Sequence, residues 1–125
     1  MVDSGFSSPR PAQFRRLGPV FYEAGLRMQK SLASDVEAGS LPDQILILEH
    51  PPVFTLGRNA TRRDIHVNDA FLRERGVGVF ETDRGGQVTY HGPGQVVVYP
   101  LCNLGDGRKD LGRFVRGLEE VMIRT

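Results

Sequence analysis

Apolar positions along the chain follow a helical spacing in three segments. The first segment lies between Pro19, which suits a first helical position, and Gly39, a plausible stop. The second is short, with Asn68 as its N-cap and Gly76 closing it. The third begins after Asp110 and presents one apolar face. The pattern therefore predicts three helices.

Short apolar runs bounded by Pro and Gly alternate with these helical segments. They predict strands over residues 44–49, 53–56, 77–81, 88–90 and 95–101. The first of them, QILILE, is typical of a strand buried on both faces. A polar loop is expected over residues 105–109. Strands that alternate with helices in this way predict an α+β domain with a mixed β-sheet flanked by helices.

The two ends of the chain differ from this regular middle. Residues 1–13 contain Ser, Pro and Gly without any periodicity, so we expect a flexible segment over residues 1–16 and a domain over residues 17–125. The last helix reaches Thr125 without a glycine, a proline or a capping pattern. The sequence thus predicts an incomplete domain that continues beyond the last residue.

Composition narrows the range of functions. The chain has 125 residues, with 16 basic and 15 acidic side chains and a formal net charge of +1. This balance argues against nucleic acid or an anionic membrane as the main partner. One cysteine cannot form an internal disulfide, and no apolar run approaches the ~20 residues that span a bilayer. We therefore expect a cytoplasmic protein of one domain.

Candidate chemistry is densest in residues 83–95, DRGGQVTYHGPGQ. Adjacent glycines allow close backbone approach, and their N–H groups can form an anion or oxyanion site. Arg84 offers a fixed cation suited to a carboxylate, a phosphate or a polarised carbonyl. His91, between a strand and a tight turn, is the best acid–base or hydrogen-bond candidate in the chain. A plain hairpin would explain the Arg-Gly-Gly triplet alone, but the whole run favours a functional site.

Residues 49–58, EHPPVFTLGR, form a second candidate region. A predicted buried strand delivers His50 and a rigid diproline to a sheet edge, with Arg58 a few residues later. As structure alone, His50 fits a satisfied turn residue better than a ligand. His66 precedes a helix and is expected at the surface. Because three scattered histidines lack Cys or carboxylate at ligand spacing, no metal site is expected.

The one cysteine and the two lysines are further candidates for catalysis. Cys102 follows an apolar run with no basic residue nearby in sequence, and apolar surroundings raise a thiol pKa, so an inert core cysteine is expected. Lys30 on the polar side of the first helix and Lys109 in the charged loop are expected to be solvated.

The two candidate regions carry a family resemblance. The segments EHPPVFTLGR and RGGQVTYHGPGQVVVYPL, residues 49–58 and 84–101, resemble the hallmark blocks of the lipoyl(octanoyl) transferases. These enzymes move an octanoyl group from acyl carrier protein to a lysine of the carrier domain of a lipoate-dependent enzyme. The resemblance covers about residues 17–125 and implies the biotin/lipoate ligase-type fold, a mixed sheet flanked by helices.

The resemblance also implies a binding site and partners. The substrate-binding stretch of the family maps onto Arg84, Gly85, Gly86, Gln87, Val88, Thr89, Tyr90 and His91. The partners implied are octanoyl-acyl carrier protein and lipoyl domains, and no cofactor is implied. In the family a lysine activates a cysteine that takes the acyl group as a thioester. The resemblance places both residues beyond Thr125 and assigns Cys102 to a core strand, so no catalytic residue is expected in this chain.

Three alternatives remain open from the sequence. The chain could be a non-catalytic module that binds an acyl group or a lipoyl domain through residues 84–91. It could fail to be a functional unit, because half a mixed sheet exposes an unpaired edge. It could also belong to the lipoate or biotin ligases, which adenylate a free acid and therefore bind ATP.

Overall fold

The structure, a computed structural model, describes residues 10–105 and 110–125. The first nine residues of the expected flexible segment lie outside the described residues. So do residues 106–109 of the predicted polar loop, including Lys109.

The described chain forms six strands and three α-helices. In chain order they are β1 (Ala12–Pro19), α1 (Tyr22–Glu37), β2 (Asp43–Glu49), β3 (Val53–Leu56), α2 (Asp69–Glu74), β4 (Gly78–Glu81), β5 (Val88–His91), β6 (Val97–Leu101) and α3 (Leu111–Arg124). A short 3₁₀ turn, Arg62–Asp64, precedes α2. The predicted α+β class is confirmed, with the strands divided between two small mixed sheets rather than one.

Local capping explains where the helices begin and end. The Asn68 side chain accepts a hydrogen bond from the Phe71 N–H at 2.8 Å, and the Asp110 side chain accepts one from the Arg113 N–H at 3.0 Å. Each bond satisfies an N–H that the helix itself cannot pair. Gly39 follows α1 at φ +77°, a backbone angle that favours glycine. All three predicted helices are thus confirmed.

Strand β1 corrects the expected flexible segment. Residues 12–16 were expected to be flexible, but they pair in parallel with β2, from Ala12 opposite Asp43 onwards. Most side chains of β1 are exposed, so the strand shows no apolar alternation. Main-chain hydrogen bonds to β2 hold β1 in place, and such bonds cannot be recognised from the pattern of apolar side chains. Because Pro19 ends β1, α1 begins at Tyr22 and not at Pro19.

Both sheets are built in the same way. The first has the order β1-β2-β6 and the second β4-β3-β5. In each sheet, two parallel strands are connected through a helix, β1-α1-β2 in the first and β3-α2-β4 in the second. One further strand then pairs antiparallel: β6 with β2, and β5 with β3. The second unit is inserted in sequence between β2 and β6. The chain therefore crosses between the sheets twice, once from β2 to β3 and once from β5 to β6.

These two crossings interrupt what is otherwise one antiparallel ladder. On one side of the interruption Leu48 pairs with Val97, and on the other Val53 pairs with His91. Proline has no N–H to donate, so Pro51-Pro52 cannot continue a ladder. The opposite strand leaves the ladder at the same level, through the turn after His91. Both sequence blocks with candidate chemistry therefore meet at one gap, here called the ladder gap, made of residues 49–52 and 91–96.

Each sheet packs against its own helix. Leu46 and Leu48 of β2 are buried against Leu32 of α1, while Leu56, Ile65 and Leu72 form a second cluster beneath α2. Burial in β2 alternates, with Ile45 and Ile47 only half-buried, so the expectation of a strand buried equally on both faces is corrected. Two small cores flank the ladder gap and support it from both sides.

Helix α3 shows the amphipathic pattern predicted for it but packs little against the rest. Val121, Met122 and Ile123 are each more than 60% exposed. Within residues 10–105 and 110–125, no helix is long and apolar enough to cross a membrane.

Replacing Leu46 with alanine should destabilise the fold. Its side chain is fully buried, and truncation of a buried leucine costs about 2–5 kcal/mol in lost transfer energy and cavity formation. Urea unfolding followed by circular dichroism measures the loss. The Val96→Ala control, at a side chain 65% exposed, should change the free energy of unfolding by less than about 0.5 kcal/mol. Equal effects at both positions would contradict this description of the core.

Candidate functional site

His50 occupies the centre of the ladder gap. Its side chain is 1% exposed, although it follows directly after β2. The Nδ1 atom lies 2.7 Å from the Val20 carbonyl oxygen, and Nε2 lies 2.8 Å from the Tyr99 hydroxyl. The imidazole therefore ties the start of α1 to β6. The expectation that His50 is a satisfied residue at a turn is confirmed, and its burial places it inside the candidate site.

These contacts determine the protonation of His50. A carbonyl only accepts hydrogen bonds, so Nδ1–H is the donor to Val20. Nε2 then accepts the hydrogen bond that the Tyr99 hydroxyl donates. Burial lowers the pKa of His50, and the nearby His91 lowers it further, against the opposing effect of the Val20 hydrogen bond. Burial also raises the pKa of Tyr99 to about 12. His50 is thus a neutral imidazole of fixed tautomer.

Aromatic rings surround His50. Its ring centroid lies 5.2 Å from that of Tyr22, 5.9 Å from that of Tyr99 and 5.9 Å from that of His91. A Cβ on Gly25 would come within 3.2 Å of His50 Cε1, so the glycine in α1 leaves room for the imidazole. This contact accounts for a buried glycine within α1.

Arg84 organises the loop between β4 and β5. Its Nη2 lies within 3.1 Å of four oxygen atoms: the Thr55 carbonyl and hydroxyl, the Gln87 carbonyl and the Thr89 hydroxyl. Its Nη1 donates to the Gly85 carbonyl at 2.9 Å. The sequence suggested a fork free to bind a substrate anion. The guanidinium instead donates its hydrogen bonds to its own loop and to strands β3 and β5, and it thereby fixes their geometry.

The loop turns its carbonyl groups inward. The carbonyls of Arg84, Gly86 and Gln87 accept hydrogen bonds from the N–H groups of Arg58, Asn59 and Gly57, respectively. Within the described chain, none of the four N–H groups of residues 84–87 donates a hydrogen bond. These successive N–H groups are therefore available to an anion or an oxyanion. Residues 84–87 are called the N–H loop below.

Close backbone packing makes this loop possible. A Cβ on Gly57 would lie 2.3 Å from the Gly86 carbonyl oxygen, far inside van der Waals contact. Gly86 itself has φ +89°, a conformation that side chains disfavour. The two glycines therefore lock the N–H loop against the end of β3, which the Arg-Gly-Gly motif alone did not predict.

Strand β5 divides the remaining candidate residues between two faces. Successive side chains of a strand point to opposite faces, so Thr89 and His91 share one face and Val88 and Tyr90 the other. Val88 packs against the apolar cluster beneath α2, and the Tyr90 ring lies 5.2 Å from that of Phe54. Arg84 Nη2 bonds the Thr89 hydroxyl at 3.1 Å on the face that Thr89 shares with His91, while Val88 and Tyr90 pack on the opposite face.

The side chains of Glu49 and Gln95 hold the turn after His91. The Glu49 carboxylate accepts a hydrogen bond from the Gly94 N–H at 3.0 Å, across the ladder gap. Gln95 Oε1 lies 2.5 Å from His91 Nδ1. Sequence reasoning assigned no role to Glu49 or Gln95, or to Thr55 and Tyr99. The available signal was that each of these polar residues lies inside an apolar strand or within a motif block.

The remaining candidates lie away from this site. Cys102 follows β6 at the end opposite the turn, about 16 Å along the strand at ~3.3 Å per residue. Burial raises the pKa of its thiol, Asp43 raises it further, and Arg10 lowers it. This agrees with an inert cysteine. His66 and Lys30 are exposed, as expected. No group of three metal-ligating side chains occurs in the described residues.

Comparison with known proteins agrees with the resemblance of the motif blocks. A family profile described as the lipoyl protein ligase A/B catalytic domain matches residues 22–125. The chain is 45% identical over 111 residues to an octanoyltransferase of Solibacter usitatus, covering 89% of this chain and 50% of that protein. It is 49% identical over 109 residues to an octanoyltransferase of Chloroflexus aggregans, covering 87% and 49%. The chain thus spans about half the length of these curated relatives.

A Gly57→Ala substitution should displace the N–H loop. The added methyl cannot coexist with the Gly86 carbonyl oxygen, so we expect a loss of about 2 kcal/mol or more in unfolding free energy. Chemical denaturation measures it. The matched control is Gly117→Ala in α3, where a Cβ would meet nothing within 4 Å and should be neutral or slightly stabilising. A Gly57→Ala protein as stable as the control would refute the close approach.

Stability should fall in mild acid because of His50. Its pKa is lowered from 6.5 on folding, so below pH 6.5 the unfolded state binds more protons than the folded state. The contribution of His50 is complete above pH 6.5 and is lost as the pH falls through the lower, folded-state pKa. Denaturation between pH 7.5 and 5 should show an added slope of up to about 1.4 kcal/mol per pH unit. His50→Gln should flatten this dependence, and an unchanged slope would count against a buried neutral imidazole.

Proposed function

The chain belongs to the lipoyl protein ligase A/B catalytic domain family, and from this premise we propose that the protein transfers an octanoyl group to lipoyl domains. The donor in this proposal is the thioester of octanoyl-acyl carrier protein, and the acceptor is the amine of a lipoyl-domain lysine. The octanoyltransferases among its relatives support acyl transfer in general. The motif blocks at the ladder gap support the more specific reaction.

The N–H loop is the observation that carries this proposal. In acyl transfer the thioester carbonyl gains negative charge when a nucleophile attacks, and N–H donors fixed in advance stabilise that charge. The loop presents unpaired N–H groups, and Arg84 and Gly57 hold it from within. Arg84, Gly85, Gly86, Gln87, Val88, Thr89, Tyr90 and His91 then form one wall of the substrate site, partly by lining it and partly by supporting it.

The overall reaction breaks the C–S bond of the thioester and forms an amide C–N bond. The proton lost by the amine ends on the released thiol, so the exchange needs no oxidant and no cofactor. Cys102 is a poor nucleophile, since burial raises the pKa of its thiol and it lies at the far end of β6. We assign the catalytic cysteine and lysine to the part of the relatives' length that this chain does not span, and the reaction to the cytoplasm.

The transfer reaction tests this proposal directly. The protein, at the full length of its relatives, should attach octanoate to a lipoyl domain when given octanoyl-acyl carrier protein, as measured by intact mass. Arg84→Lys should lower the rate about tenfold or more, because lysine has one nitrogen and cannot replace both Nη2 at Thr55 and Nη1 at the Gly85 carbonyl. The control Arg63→Lys, at an exposed position, should keep the rate. Cys102→Ser should also keep it.

Two outcomes would redirect the proposal. Transfer that depends on ATP and free octanoate would indicate a ligase in place of a transferase. Binding of octanoate or a lipoyl domain by the 125-residue chain in calorimetry, without transfer by the longer protein, would favour a non-catalytic binding module. The observation that favours this second function is the raised pKa of the Cys102 thiol, because a thiol that stays protonated is a poor nucleophile.

A further inference from the structure

Four hydrogen bonds hold the turn between β5 and β6. Within it, the Gln95 N–H donates to the Gly92 carbonyl at 3.1 Å. The Gln95 side chain reaches back to both Tyr90 and His91, and Glu49 binds the Gly94 N–H from across the ladder gap. Every one of these contacts restricts the position of His91, the last residue of β5.

Two contacts determine which way the Gln95 amide faces. Nε2 donates to the Tyr90 carbonyl oxygen at 3.4 Å, and a carbonyl oxygen can only accept. The other amide atom, Oε1, therefore faces His91 Nδ1 at 2.5 Å. Reversing the amide would place two acceptors together at Tyr90. The orientation of the Gln95 side chain thus follows from its own hydrogen bonds.

This orientation fixes the protonation of His91. Because Gln95 Oε1 can only accept, Nδ1 of His91 carries the proton in the neutral ring. Nε2 then has a free lone pair, and within the described chain no group donates to it. A neutral His91 of this kind accepts a hydrogen bond from a substrate and cannot donate one to an oxyanion.

We propose that Gln95 and Glu49 are positioning residues that hold His91 as the Nδ1–H tautomer, with Nε2 accepting a hydrogen bond from an N–H of the substrate. Gln95 selects the tautomer, and Glu49 fixes the turn that carries Gln95. The assignment rests on the proposed octanoyl transfer for its role, whereas the tautomer itself rests on the geometry alone. The two parts of the site then have different roles: the N–H loop donates hydrogen bonds to the substrate, and His91 accepts one from it.

Nitrogen NMR tests the tautomer without any activity measurement. At alkaline pH, where imidazoles are neutral, ¹⁵N-labelled protein should give a pyrrole-like shift for Nδ1 of His91 and a pyridine-like shift for Nε2. Gln95→Leu should move the ring towards the Nε2–H form that free imidazole side chains prefer. Gln95→Glu should restore the original pattern, since a carboxylate oxygen also accepts from Nδ1–H. Val96→Ala, the exposed neighbour, serves as the control.

Kinetics of octanoyl transfer test the role. Gln95→Leu should lower kcat/KM about tenfold or more, because His91 would no longer accept the hydrogen bond of the substrate, and Gln95→Glu should recover most of it. Glu49→Ala should speed hydrogen exchange of the Gly94 N–H and lower kcat/KM in the same direction. An Nε2–H tautomer in the unmodified protein, or a Gln95→Leu protein with unchanged nitrogen shifts, would overturn the inference. Absence of transfer together with the Nδ1–H pattern would overturn the proposed function and uphold the assignment of Gln95.

Discussion

The arrangement of this protein depends on the inability of proline to continue a β-ladder. Pro51 and Pro52 break the strand that would otherwise join β2 to β3, and the turn after His91 breaks the opposite strand at the same level. One long antiparallel pair becomes two short ones in separate sheets. Polar side chains fill the gap between them, because there the two strands no longer bond to each other.

Burying polar groups in this gap is costly unless each finds a partner, and the chain supplies those partners from distant elements. His50 bonds to the start of α1 and to β6, while Glu49 bonds to the turn after β5. Arg84 similarly satisfies the buried Thr55 from the loop that follows β4. Residues far apart in sequence are thereby fixed at short distances. A rigid polar site of this kind can present donors and acceptors to a substrate without reorganising.

Sequence reasoning succeeded where a residue's role is local. The caps at Asn68 and Asp110 and the stop at Gly39 act through their own neighbours, so their chemistry can be read from composition and spacing. Reasoning from pattern failed for β1, whose exposed side chains carry no period and whose stability comes from main-chain pairing with β2. It also cast Arg84 as a free ligand for a substrate, because the oxygens that satisfy it come partly from β3, 29 residues earlier.

The sequence by itself determined the three helices, the strands other than β1, the two motif blocks and their family resemblance, since these depend on side-chain chemistry and spacing along the chain. Tertiary structure alone decided that the blocks meet at one gap and that the N–H loop turns its carbonyls inward. It also decided that His91 faces Gln95 through Nδ1. Such features depend on which backbone groups remain unpaired after the strands have assembled. Which groups remain unpaired is a property of the whole folded ladder, and no local pattern of residues predicts it.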